Sequence, residues 1–311
     1  MSVRIAVIDD YQGVAESCAD WSSLPDGVDV TFFRDRCATE DDLVSRLEPF
    51  EIVGVMRERT EFPRRVLTRL PNLRLLASTG RNNAAIDLRA CRDLGVAVST
   101  TSSPGHATAE LTMALILSLA RGLQPETRSV RAGGWQVGLG RDLRGARLGL
   151  LGLGRLGSQV ALLAAGFGME VGAWSENLTE ERSEEVGVPK LSRGELFQES
   201  DFVSIHLRIS ERTKRMVGDR EFEMMRPDAY LINTSRSAIV DVDALVRALG
   251  SGAIAGAAVD VFDEEPLAPN HPLRDMDGLL ATPHIGYVTK ETYEVFYSEM
   301  VAAIAEYLSG R

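Results

Sequence analysis

Cysteine is scarce in this sequence: Cys18, Cys37 and Cys91, an odd number, all in the first third of the 311 residues. That usage excludes a disulfide framework and suits a reducing compartment. Histidine is nearly as rare, with His106, His206, His271 and His284 alone. With no HExxH and no CxxC, no metal site is expected. Long apolar runs are also missing. LTMALILSLA at 111–120 is about half of the roughly 20 residues that cross a bilayer. Basic tracts, low-complexity stretches and internal repeats are absent. The net charge of −11 argues against affinity for nucleic acid or an anionic membrane. The opening MSVRIAVIDD reads as a strand and not a signal peptide. A cytoplasmic location is expected.

What is present is an ordinary globular composition, 44% hydrophobic and 25% charged, on a chain long enough for two domains. β-rich runs recur through the first hundred residues: VRIAVI, VDVTFF, IVGVM, LRLLAS and VAVST. Amphipathic stretches such as EDDLVSRL separate them, which implies parallel βαβ units. IDDYQG follows the first run, with no glycine fingerprint, so this half is not expected to bind nucleotide. SSPGHATAELTMALILSLARGL reads as a turn and one long buried helix leading into a second series: RLGLLGL, MEVGAW, DFVSIHL, AYLINT, IAGAAVDV and LLAT. The terminal stretch KETYEVFYSEMVAAIAEYL is a helix long enough to return to the first domain. The expectation is α/β: two Rossmann-like, doubly wound parallel-sheet domains. A flavodoxin-like substrate domain, 1–101 plus 287–311, is split around a dinucleotide-binding domain, 102–286.

LGLLGLGRLGSQVALLA places Gly152, Gly154 and Gly157 in GxGxxG spacing between an apolar strand and a helix. The first glycine makes the turn, the second admits a pyrophosphate and the third lets helix and strand pack closely. Arg155 and Leu156 complete this loop, whose helix N-terminus suits an anion. At the end of the next strand, MEVGAWSENLT puts Ser175 where an acid would hold the adenosine ribose. No neighbouring cation receives a 2′-phosphate, although Arg155 and Arg182 lie nearby in sequence. NAD is favoured, with NADP as the alternative.

Three successive strand ends then offer an arginine, a carboxylate and an imidazole. They are Arg236 in INTSRSAIVD, the acids of GAAVDVFDEEP and His284 in TPHIGY. In isolation Arg236 is a surface arginine and the acids a solvated loop; together they lie toward the side of the glycine loop.

In this order and spacing, GLGRLG, NTSR…VD, DVF.EEP and TPHIG resemble the D-isomer-specific 2-hydroxyacid dehydrogenase family, over essentially the whole chain. The resemblance implies that Arg236, Glu265 and His284 are the catalytic trio. It places Asp260 at the nicotinamide carboxamide and Thr234, Ser235 and Gly286 along the same end of the cofactor. His206 falls near the adenine pocket. The loop TGRNNAAID, with Gly80, Arg81 and Asn82, would hold the substrate carboxylate, joined by Arg57 in VMRERT. The chain departs from the family pattern at Asn82, Ala84, Ser237 and Tyr287, which leaves the substrate open. The implied partners are a small 2-oxo or D-2-hydroxy acid and a second copy of the chain in a homodimer.

The chemistry agrees with the residues. Hydride transfer to a 2-oxo acid leaves charge on the carbonyl oxygen, so a proton must arrive in step. A positioned imidazole supplies it, for about 10²- to 10⁴-fold in rate. A glutamate beside the ring orients it and favours imidazolium. An arginine fork grips carboxylate and carbonyl. The alternative from another class is a non-catalytic, NADH-binding corepressor-like module of the same fold.

Overall fold

The computed structural model describes residues 2–310. It divides into two compact units: residues up to Pro104 together with those from Val288 onward, and Gly105–Tyr287. The first boundary lies three positions beyond the expected 101, because the extended link after the fifth strand stays with the first unit, and Tyr287 falls in the second unit.

The first unit has five strands: β1 (Val3–Val7), β2 (Val28–Phe32), β3 (Ile52–Val55), β4 (Leu75–Ser78) and β5 (Ala97–Thr100). They pair in parallel in the order β2-β1-β3-β4-β5, a flavodoxin-like arrangement. The terminal helix Lys290–Ser309 packs in this unit, burying Tyr293, Phe296, Tyr297 and Met300. Gly54 in β3 gives it room, since a Cβ there would lie 2.7 Å from the Met300 sulfur.

The second unit has six strands: β6 (Arg147–Leu151), β7 (Glu170–Trp174), β8 (Phe202–Ile205), β9 (Tyr230–Asn233), β10 (Gly256–Val259) and β11 (Leu279–Ala281). They form a parallel sheet in the order β11-β10-β9-β8-β6-β7. A single parallel bridge between Ala173 and Lys190 adds a rudimentary strand beyond β7. With it, the order becomes that of a dinucleotide-binding sheet whose direction of winding reverses between β6 and β8. The segment VPKLS is too short and too polar for periodicity to mark it as a strand.

The inner strands β3, β4, β8 and β10 are buried throughout, as parallel strands covered on both faces are, whereas the edge strands β2, β5 and β11 are largely not. Residue parity decides the face. Leu148, Leu150, Phe202, Ile232 and Ala258 join the core beneath helices Ala107–Ala120 and Arg155–Gly166. Leu151, Val203, Ile205, Leu231 and Val259 join the core on the opposite side, with Phe197, Phe222 and Leu245 from the helices there. The stretch read as one long helix is two: Ala107–Ala120 and Leu123–Arg131, separated at Gly122, whose φ is +59°.

Candidate active site in the second unit

Because every strand of the second sheet runs the same way, the loops after β6, β8, β9, β10 and β11 emerge at one edge. Ligands bind at this carboxyl edge in open α/β sheets, where the winding reverses. All the second-unit residues singled out from sequence, apart from Ser175 after β7, belong to these loops or to the helix start after β6.

The glycine loop after β6 carries its three glycines for three reasons. Gly152 has φ +110°, and a Cβ on it would lie 2.8 Å from the His206 carbonyl oxygen. Gly154 is exposed and a Cβ there would meet open space. It precedes the helix Arg155–Gly166, whose first N–H groups have no intrahelical partner. A Cβ on Gly157 would lie 2.2 Å from the Gly152 carbonyl oxygen. A turn, an open approach and a close packing contact are the features that a pyrophosphate cradle needs, so the residues fit a dinucleotide. Gly157→Ala is therefore expected to push the helix start off the loop. It should weaken NADH binding at least tenfold, measured by quenching of protein fluorescence.

Arg155 folds back from the loop, and a Cβ on Gly105 would lie 2.1 Å from its Nη1. Arg182 donates to the Leu153 carbonyl at 3.3 Å and to Ser158 Oγ at 2.8 Å, bracing the same loop. Leu156 is half-buried in the first turn of the helix. His206, at the end of β8, faces Ser204 Oγ across 2.9 Å, and burial pushes its pKa down to about 4. It is neutral near pH 7 and is not a charge partner.

After β9, Asn233 holds the turn by donating to the Arg236 carbonyl and accepting from the Ser235 N–H, both at 3.0 Å. The Thr234 hydroxyl pairs with Thr112 Oγ1 at 2.9 Å. Ser235 donates to the Leu207 carbonyl and so ties the β9 loop to the β8 loop. Arg236 is exposed.

Glu265, from the loop after β10, and His284, from the loop after β11, meet directly. His284 Nδ1 lies 2.6 Å from Glu265 Oε2. The other carboxylate oxygen accepts from the Phe262 N–H at 2.9 Å. Burial pushes the Glu265 carboxyl up, but its hydrogen bond to His284 and the charges of His284 and Arg236 outweigh it. The net pKa lies below the ordinary glutamate value. A carboxylate that stays ionised makes Nδ1 the donor, leaving Nε2 as the nitrogen that exchanges a proton.

His284 has φ +53°, a left-handed conformation uncommon outside glycine. Such strain persists where the surroundings over-determine it. Here Asp260 does so. Its side chain is buried at 1% exposure. Oδ1 accepts from Thr282 Oγ1 at 2.7 Å and the Ile285 N–H at 2.8 Å, and Oδ2 accepts from the Gly286 N–H at 2.8 Å. Burial raises the Asp260 pKa against these hydrogen bonds and the nearby His284 charge. Gly286 leaves room for this carboxylate, because a Cβ would lie 3.1 Å from Oδ2. Thr108 Oγ1 closes the clamp with a 2.8 Å bond to the Gly286 carbonyl. Sequence reading gave Asp260 a cofactor contact and missed this role, and nothing in the sequence pointed to Thr108. His271 is structural, capping its short helical turn through Nδ1 and the Leu273 N–H.

Residues 113–286 match the model of the D-isomer specific 2-hydroxyacid dehydrogenase family, NAD binding domain. That match covers more than half of the chain. The chain belongs to the D-isomer specific 2-hydroxyacid dehydrogenase family. A glyoxylate reductase of Aeropyrum pernix is 41% identical over 239 residues, 73% of this chain and 71% of that protein. A (S)-sulfolactate dehydrogenase of Chromohalobacter salexigens is 36% identical over 244 residues, 77% of this chain and 79% of the relative. The crystal structure of a phosphoglycerate oxidoreductase from Vibrio cholerae superposes with a TM-score of 0.94 at 34% identity, each chain covered in full. This member of the family is an NAD-dependent, hydride-transferring oxidoreductase acting on CH–OH donors. The corepressor-like alternative finds no support among these relatives.

In the first unit, Arg57 has φ +52°. Its backbone is pinned by Thr79 Oγ1, which accepts from the Arg57 N–H at 2.9 Å, and by Asn83 Nδ2, which donates to its carbonyl. The guanidinium rests on Gly80, where a Cβ would lie 1.8 Å from Nη1. Arg81 and Asn82 are exposed on the same loop.

Proposed function

We propose that this chain reduces a 2-oxo acid to the D-2-hydroxy acid, or runs the reverse, with His284 as general acid and base. One observation carries the reading: the 2.6 Å contact between His284 Nδ1 and an ionised Glu265, at the sheet edge that also bears the glycine loop. Gly152, Gly154, Arg155, Leu156, Gly157, Ser175, His206, Thr234, Ser235, Asp260 and Gly286 are the residues we assign to the cofactor. NADH, when bound, supplies the hydride. The protein's own work is to place charge. Arg236 offers its planar fork to the carboxylate of the acid, and His284 Nε2 delivers a proton to the carbonyl oxygen as negative charge develops there. Glu265 keeps the ring in the tautomer and orientation that this needs. In oxidation the imidazole starts neutral and takes the hydroxyl proton.

We further propose that Arg57, Gly80, Arg81 and Asn82 contribute to substrate binding. The support is an Arg57 guanidinium over the buried Gly80, with the Glu58 carboxylate 3.3 Å from its Nη2, beside the exposed Arg81 and Asn82 at the carboxyl edge of β3 and β4. This arrangement suits an anion such as a substrate carboxylate. A homodimer through the second unit is supported by the apolar side chains left exposed there, among them Leu123, Trp135, Val137, Leu139, Leu162 and Phe167. A cytoplasmic location is supported by three free cysteines. Among the described residues no helix is long and apolar enough to cross a membrane.

The test is loss of NADH absorbance with a panel of 2-oxo acids, beginning with glyoxylate and including sulfo- and phospho-substituted acids. Turnover of at least one, with kcat/KM reduced a hundredfold or more in Arg236→Ala at unchanged NADH affinity, is the expected result. NADH binding without turnover across the panel would overturn the reading.

A further inference from the structure

The adenosine end of the cofactor crevice lacks its usual carboxylate. β7 ends at Trp174, and the next residue, Ser175, has no charge to offer the ribose hydroxyls. The chain turns immediately: the Leu178 N–H donates to the Ser175 carbonyl at 3.0 Å, which puts Glu176 and Asn177 on the exposed corners. Across from this turn is the loop after β8. It is braced internally, with Ser210 N–H donating to Thr213 Oγ1 and Thr213 Oγ1 donating to the Arg208 carbonyl, each at 2.8 Å. This loop presents Arg212. Its Nη1 lies 3.9 Å from Glu176 Oε2, and both side chains are more than half exposed.

Of the two arginines nearer in sequence, Arg182 is already committed and Arg155 is exposed. Arg182 spends its guanidinium on Leu153, Ser158 and, at 2.7 Å, the Glu185 carboxylate. Arg155 lies against Gly105. Arg212, remote in sequence from the glycine loop, faces a single carboxylate at nearly 4 Å.

We propose that Glu176 and Arg212 together set the choice between NADH and NADPH, with Glu176 standing in for the carboxylate missing at Ser175 and Arg212 a latent anchor for a 2′-phosphate. The proposal rests on the family reading that a nicotinamide dinucleotide binds at the glycine loop. Glu176 acts in two ways. Its charge repels a phosphate at the ribose, and it occupies the guanidinium that would otherwise attract one. The pair is weak as a contributor to folding, as exposed pairs are, so either member can be changed without disturbing the fold.

The experiment measures dissociation constants for NADH and NADPH by reduced-nicotinamide fluorescence, at two salt concentrations, without substrate. The wild type is expected to prefer NADH. Glu176→Gln should tighten NADPH about tenfold or more while weakening NADH a few-fold. Adding Arg212→Ala to that variant should remove most of the NADPH gain, leaving only the part due to relief of the Glu176 charge, with NADH nearly unchanged. The gain should shrink at the higher salt concentration. An unaltered NADPH constant in Glu176→Gln, or a gain undiminished by Arg212→Ala, would overturn the proposal with dinucleotide binding intact. Failure of the wild type to bind either coenzyme would overturn the family reading of the crevice and the proposal with it.

Discussion

Replacing His284 by alanine should lower kcat for 2-oxo acid reduction by about 10²- to 10⁴-fold while leaving the NADH dissociation constant within a factor of two. The size follows from the geometry. Glu265 holds Nδ1 at 2.6 Å, so the imidazole is one oriented donor; the ring of Tyr287 meets it edge-on, 5.6 Å between centroids. The other histidine at this sheet edge is already paired with Ser204 and, with burial pushing its pKa down to about 4, carries no proton to give at pH 7. The glycine loop that we assign to the coenzyme is built from Gly152, Gly154 and Gly157, none of which touches His284, so cofactor affinity has no reason to change. Glu265→Gln keeps a side-chain acceptor but removes the charge that favours imidazolium. Its loss in kcat should therefore be smaller, about tenfold or more. Stopped-flow or steady-state decay of NADH absorbance with saturating coenzyme measures both.

Replacing Asp260 by alanine should cost both activity and stability, and this separates it from His284. Three donors converge on one buried carboxylate: Thr282 Oγ1, the Ile285 N–H and the Gly286 N–H. Each unsatisfied buried donor costs about 1–3 kcal/mol, so the variant should lose several kcal/mol. On a chain of this size that is a fall in melting temperature of roughly 5–10 °C. The same donors hold His284 at φ +53°. Without them the backbone relaxes toward an unstrained conformation and the ring leaves Glu265, so kcat should fall at least a hundredfold. Asp260→Asn should be intermediate in stability. Its carbonyl can still accept from Thr282 and Ile285, but its amide would face the Gly286 N–H donor to donor. Calorimetry with and without NADH, alongside turnover, distinguishes the two variants.

The comparison of sequence with structure is uneven in an instructive way. Apolar runs marked the eleven strands found among the described residues, most clearly the inner ones, which are buried on both faces and read as continuous hydrophobic stretches. The glycine loop was legible because each glycine answers a local steric demand: Gly157 could carry no side chain within 2.2 Å of the Gly152 carbonyl. Arg236 and His284 stood out as polar residues just after apolar strands, whereas Glu265 was one acid among several in the loop after β10 and was singled out by the family resemblance. What stayed hidden depends on contacts between segments remote in sequence. Nothing in GAAVDVF shows that Thr282, Ile285 and Gly286 will surround the Asp260 carboxylate. Arg212 gave no signal either, since its proximity to Glu176 exists only once the β7 and β8 loops lie side by side. The bridge at Lys190 was too short to produce a period. The left-handed backbone of His284 leaves no mark on residue type, in contrast to the glycines.

The central claim is that the proton moves through His284 while Glu265 stays ionised. It is tested most directly by pH–rate profiles of kcat/KM in both directions on one enzyme preparation. The carboxylate is held below its ordinary value, so one group, the imidazole, should govern both profiles. Reduction should lose rate as pH rises, because the imidazolium is consumed. Oxidation should lose rate as pH falls, because the neutral imidazole is consumed. Both limbs should vanish in His284→Gln. Limbs that run in the same direction, or that persist in His284→Gln, would contradict the account.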